Sequence, residues 1–154
     1  MLKTKIAVFV SGGGTNFEAL INAQENGKIP HGEIVLMVSS SRTAYALKRA
    51  ENHGIKSVVC SKKELGSQEK FEEEILKNLE ENDIQLIVLA GFMSILSNEF
   101  TKKYENRIIN IHPSLIPSFC GEGFYGLHVH EAALKKGVKV TGATVHIVNE
   151  IPDG

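Results

Sequence analysis

Apolar and polar positions alternate between two rhythms along this chain. Short apolar runs at 5–10 (KIAVFV), 34–38, 57–60 and 84–90 (IQLIVLA) read as strands. Between them lie stretches with helical spacing at 17–25, 43–52 and 68–81. Ala44, Leu47 and Ala50 form the predicted inward face of the second. In the third, Phe71, Ile75 and Leu79 recur every four residues, with Glu and Lys between them. The run 84–90 is almost wholly apolar, as expected of a central parallel strand. After it, 91–96 reads as a loop leading into a short helix that ends near Tyr104. A strand beginning at Arg107, a loop over 113–126, a helix over 130–136 and a last strand over 139–148 complete the series. Strands and helices in alternation predict an α/β fold, a mostly parallel sheet with helices on both faces. No repeat or low-complexity linker interrupts the pattern, so residues 1–154 are expected to form a single domain.

The stretch 107–117 (RIINIHPSLIP) organises the rest. Side chains on a strand alternate between faces, so Asn110 and His112 are expected to share one face while Ile111 takes the other. Pro113 has no N–H to give the sheet and should end the strand. Two polar groups then converge where a strand opens into a loop, which is where open α/β sheets bind ligands. Taken alone, the pair is most simply a capped strand end. Its company in the sequence gives it more meaning.

Composition narrows the classes. Hydrophobic content of 42% and charged content of 23% over 154 residues are ordinary for a globular domain. With a net charge of −1 and scattered Lys and Arg, neither a nucleic-acid groove nor a membrane-surface patch is expected. Cys60 and Cys120 do not make a disulfide framework and read as passive cytosolic thiols. The N-terminal residues lack the features of a signal peptide, and a cytoplasmic protein is expected. Because the sequence stops at Asp153-Gly154 in a turn-like segment just after a strand, a closing C-terminal part is expected to be missing.

Two motifs carry chemistry beside the 107–117 stretch. The first, VFVSGGGTNFEAL, sets a strand, a glycine turn and a helix start in line, a geometry that cradles anions on backbone N–H groups. A dinucleotide fingerprint would need glycine at Phe17, and an ATP loop would need a lysine, so a small phosphate cradle remains. Thr15 and Asn16 would add donors to it. The second is Asp153-Gly154, after the strand that holds His146. An Asp near an imidazole favours the charged ring, and an Asn N–H beside it can stabilise an oxyanion. Together these suit acyl transfer to an amine without a covalent enzyme intermediate; no G-x-S-x-G turn supplies a nucleophile. His128 and His130, with His112 and His146, lack carboxylate or Cys ligands at metal-binding spacing, and no metal is expected.

The segments SGGGTN, VLAGFMSILS, NIHPSLIP, GLHVHEAAL, TGATVH and PDG, in this order, resemble the phosphoribosylglycinamide formyltransferase family, the folate-dependent glycinamide ribonucleotide transformylases of purine synthesis. The resemblance implies a Rossmann-like formyltransferase fold and formyl transfer from 10-formyltetrahydrofolate, as co-substrate, to the amine of phosphoribosylglycinamide. It implies a substrate phosphate site at Gly13, Gly14, Thr15 and Asn16. Met93, Ser94, Ile95 and Leu96, with Asn110, are implied to hold the folate, and Asn110, His112 and Asp153 to form the catalytic trio. Small-molecule partners and a monomer or homodimer are implied, with no nucleic acid and no membrane. Gln68 stands where many relatives carry a basic residue. The segment 118–126 is longer than in many relatives and reads as a variant active-site loop, expected to be mobile without folate. The alternatives are a formyltetrahydrofolate deformylase-like hydrolase and a non-catalytic nucleotide-binding module.

Overall fold

The computed structural model describes residues 3–112 and 144–147. A six-stranded sheet, in the order β3-β2-β1-β4-β5-β6, forms its middle layer. β1 (Thr4–Val10) lies at the centre, parallel to β2 (Gly32–Ser39) on one side and to β4 (Leu86–Leu89) on the other. β3 (Lys56–Val59) extends the sheet beyond β2, and β5 (Ile108–His112) extends it beyond β4, both parallel. β6 (Thr144–Ile147) pairs antiparallel with β5. The expected mostly parallel sheet is therefore present, with one reversed strand among those described.

Alternation along β1 explains the two layers of helices. Ala7 and Phe9 enter one core, with Phe71, Ile75 and Leu79 of α4 (Gln68–Glu81) and Phe100 of α5 (Asn98–Lys103). Ile6, Val8 and Val10 enter the other, with Phe17 and Ile21 of α1 (Thr15–Glu25) and Ala46 and Ala50 of α2 (Ala46–Asn52). Residues 6–10 are all buried, which is why that run is apolar without a period.

The differences from the expected elements have local causes. The expected 43–52 helix begins at Ala46, because Ser41 Oγ accepts the Thr43 N–H and holds 41–45 as a turn. Its fully buried residues are Ala46 and Ala50, whereas Ala44 and Leu47 are half-buried. A short helix not expected from the pattern, α3 (Lys62–Leu65), follows β3; Ser61 caps it by accepting the Glu64 N–H, and Gly66 ends it at φ 94°. The 68–81 helix has the expected bounds, with Ser67 as its cap. β5 ends at His112, immediately before Pro113. The expected 113–126 loop, including 118–126, and the 130–136 helix lie outside the described residues, as does most of the 139–148 strand.

Candidate active site at the sheet's carboxyl edge

From β1 the chain winds outward to β2 and β3, then returns across β1 to β4 and β5. The strand order thus reverses between β1 and β4, and such a switch point opens a crevice at the strands' carboxyl ends. Ser11 ties the loops there together. Its N–H donates to the Gly91 carbonyl (3.2 Å), its hydroxyl accepts the Met93 N–H (2.7 Å), and it shares a hydrogen bond with the Ser40 hydroxyl (2.6 Å). The loops after β1, β2 and β4 therefore meet at one edge, as their positions directly after strands predict.

On the β1 side, α1 begins at Thr15, two residues earlier than its apolar pattern indicates. Thr15 and Asn16 thereby stand in the first turn, where N–H groups have no intrahelical acceptor. Gly14 precedes them in the left-handed region (φ 78°, ψ 32°) and accepts the Glu18 N–H at 2.8 Å. A Cβ on Gly14 would stand 2.8 Å from Ala46 Cβ, so this position needs glycine both for its φ and for the close approach of α2. Gly13 and Thr15 are exposed, and Asn16 is half-buried.

Behind the turn lies a charged network that the sequence reading missed. Arg49 of α2 donates from Nε to the Gly13 carbonyl (2.7 Å), and its guanidinium lies 5.0 Å over the Tyr45 ring. Glu18 Oε2 is buried without a hydrogen-bond partner among the described residues and has Arg49 Nη1 at 3.7 Å. Glu18 Oε1 meets His53 Nε2 at 2.9 Å, and His53 Nδ1 meets Glu25 Oε1 at 3.0 Å. The hydrogen bond with Glu18 raises the His53 pKa above its ordinary value; burial opposes this and Glu25 adds to it. No motif announces these four residues, because their partners come from different helices.

On the β4 side, 92–96 alternates inward and outward. Phe92 packs edge-on against Phe9 (centroids 5.3 Å apart) and Leu96 packs against the α4–α5 core. Met93 and Ile95 face outward, 58% and 82% exposed. Single exposed apolar residues are ordinary, but two from one pinned loop form an exposed apolar patch.

Asn110 pairs in register with Leu89 of β4 and His146 of β6. Ile108 enters the α4–α5 core and Ile111 the opposite one, so alternation places Asn110 on the sheet face that also receives Phe92 and Leu96. The backbone of His112 lies two positions further on, in register with Thr144. Asp153 lies outside the described residues, as do Cys120, His128 and His130. Cys60 is buried, and burial, with Glu74 adding, pushes its thiol up to about 12, far from a nucleophile's range. Among the described residues, no group of three or more His, Cys, Asp or Glu could hold a metal ion.

A doubly wound α/β sheet whose glycine turn and apolar loop adjoin at its switch point places the chain in the Rossmann-like class. Comparison with known proteins narrows this. A family profile described as formyl transferase matches residues 4–154. The phosphoribosylglycinamide formyltransferase of Haemophilus influenzae is 39% identical over 150 residues, covering 97% of this chain and 68% of that protein. The trifunctional purine biosynthetic protein adenosine-3 of Gallus gallus is 47% identical over 151 residues, which are 98% of this chain but 14% of that protein. Among solved structures, a phosphoribosylglycinamide formyltransferase from Brucella melitensis superimposes with a TM-score of 0.83 at 42% identity, covering 97% of this chain and 76% of that one. The chain belongs to the formyl transferase family.

Proposed function

We propose that this chain transfers the formyl group of 10-formyltetrahydrofolate to the amine of phosphoribosylglycinamide, a step of purine synthesis, as a single domain over 1–154. The observation that carries the reading is the junction at Ser11. It sets a polar N–H turn suited to a phosphate beside an apolar surface suited to a flat ring, with Asn110 on the strand adjoining β4. Gly13 to Asn16 hold the ribonucleotide's phosphate on backbone N–H groups at the positive end of α1. Met93 to Leu96 receive the pterin ring, with Asn110 at its reacting end.

The amine attacks the formyl carbon, and its electron pair forms the C–N bond while the carbonyl oxygen becomes an oxyanion. Asn110 donates a hydrogen bond to that oxyanion, and a protonated His112 offsets its charge. Asp153 holds His112 charged. Collapse of the tetrahedral intermediate expels the folate nitrogen, which takes up the proton lost by the amine. The chemistry requires no metal. It proceeds on small molecules in the cytoplasm, by a monomer or homodimer. A cytoplasmic setting suits the reduced Cys60 thiol, and no helix among the described residues is long and apolar enough to cross a membrane.

The test is formyl transfer by the full chain with phosphoribosylglycinamide as acceptor and water as competitor. Transfer to the amine is expected to dominate; formate release without product would support the deformylase-like alternative. Asn110→Ala should lower kcat/KM by on the order of a hundredfold, the loss typical of a missing oxyanion donor. An unchanged rate would remove Asn110 from the mechanism.

A further inference from the structure

The exposed loop after β4 is held from behind by α4. Gln68 Nε2 donates to the Ile95 carbonyl (2.9 Å) and to Glu72 Oε2 (2.8 Å). Glu72 then grips the loop's end: its Oε2 accepts the Ser97 N–H (2.6 Å) and its Oε1 accepts the Ser97 hydroxyl (2.5 Å). Ser97 Oγ in turn accepts the Phe100 N–H and caps α5. At its start the loop is pinned by Ser11 Oγ through the Met93 N–H. The backbone between β4 and α5 is thus fixed at residues 93, 95 and 97, and Met93 and Ile95 are the two side chains this geometry turns outward.

We propose that Gln68 and Glu72 are positioning residues for the formyl donor, acting through the Ile95 carbonyl and Ser97 and not by touching the donor. The inference rests on the reading that 93–96 receive the pterin. A glutamine amide has two N–H groups, and both acceptors that they can serve are already in place. Gln68 cannot donate to a ligand without giving up its bond to the Ile95 carbonyl or its bond to Glu72. Glu72 is similarly occupied: both of its oxygens accept from protein donors. A bracket that holds an apolar surface open to water sustains a conformation that collapse of Met93 and Ile95 onto the protein would otherwise remove. Preorganisation of this kind lowers the cost of docking an aromatic ring and leaves the chemical step alone.

The test is a set of steady-state measurements on the full chain. Gln68→Glu keeps the shape of the side chain but removes both N–H donors and sets a second carboxylate against Glu72. It should raise the KM for the formyl donor about tenfold, the scale of the one lost hydrogen bond, to the Ile95 carbonyl, that ties the loop directly. The KM for the ribonucleotide and kcat should stay within about twofold, since uniform binding of one substrate is what is lost. Protonating the new carboxyl restores a donor, so the raised KM should fall back as the pH is lowered, a signature that simple loosening of the fold would not give. Ser97→Ala should reproduce part of the rise. Combined with Gln68→Glu it should give less than the product of the two effects, because both release one loop. A donor KM unchanged in Gln68→Glu, or a fall in kcat with both KM values altered, would overturn the proposal. Met93→Ser with Ile95→Ser separates this failure from that of the underlying reading. If the doubly substituted protein keeps its donor KM, the loop does not receive the donor and both fall. If that KM rises while the Gln68→Glu value does not, the bracket alone falls.

Discussion

The loop after β1 takes its shape from missing side chains, and the loop after β4 takes its shape from side chains sent by a distant helix. Gly14 adopts φ 78° and lets Ala46 approach to a distance that no Cβ would tolerate, so the turn presents backbone N–H groups. Across the crevice, Gln68, Glu72 and Ser97 hold 93–97 so that Met93 and Ile95 stand out. A backbone-built surface is fixed by local conformational preference and suits a charged, compact ligand group. A surface built on brackets depends on residues up to 27 positions away and suits an apolar ligand that needs width. The two halves should accordingly fail in different ways when substituted.

Gly14→Val is the largest expected perturbation. It forces a β-branched residue into the left-handed region and drives Cβ into Ala46 Cβ, together costing about 2–4 kcal/mol of stability. The KM for the ribonucleotide should rise on the order of tenfold or more as N–H donors are displaced, with that for the formyl donor much less affected. Melting curves and paired KM measurements check this, and equal effects on both substrates would erase the division between the two halves. Arg49→Met comes next. It removes the bond to the Gly13 carbonyl and leaves the buried Glu18 Oε2 without its neighbouring guanidinium, for about 1–2 kcal/mol. The expected readout is a lowered Tm with a severalfold rise confined to the ribonucleotide KM. A rise in the donor KM instead would show that α2 supports both loops.

His53→Gln gives the smallest effect and shows a characteristic pH dependence. The folded pKa of His53 is raised, so its contribution is fully present below the unfolded value of about 6.5. The contribution is lost as pH rises through the folded pKa. The Tm difference between the native protein and the variant should therefore be widest at mildly acidic pH and close on the alkaline side. A gap that does not move with pH would mean that the ring is neutral between Glu18 and Glu25.

The same contrast explains what could be read from the chain beforehand. The sheet was legible because buried parallel strands are runs such as KIAVFV and IQLIVLA, and α4 because Phe71, Ile75 and Leu79 keep strict spacing above a Ser67 cap. The glycine turn was legible because its chemistry lies in consecutive residues. α3 is short and charged, and its Ser61-x-x-Glu64 cap is the only local signal it leaves. The start of α2 is not legible in its apolar spacing, because Ser41 and Thr43 form a turn that competes with helix. The network of Arg49, Glu18, His53 and Glu25 and the bracket of Gln68, Glu72 and Ser97 could not be read from any local window. Each is assembled by packing between elements, so its partners become neighbours only once the cores on the two sheet faces have formed.

The hydroxyl of Ser11 has a consequence for how this edge tolerates sequence change. Gly12 and Gly13 border open space, so an added methyl there meets no atom within 4 Å. On the proposed assignment, variation at those positions can be screened by phosphate binding alone. Ser11 belongs to both halves, since the same side chain reaches Ser40 and the Met93 N–H. On the proposed assignment position 11 is thus pleiotropic: a library randomised there samples both loops at once, and a selection for a new acceptor at that position also selects, unasked, on the donor.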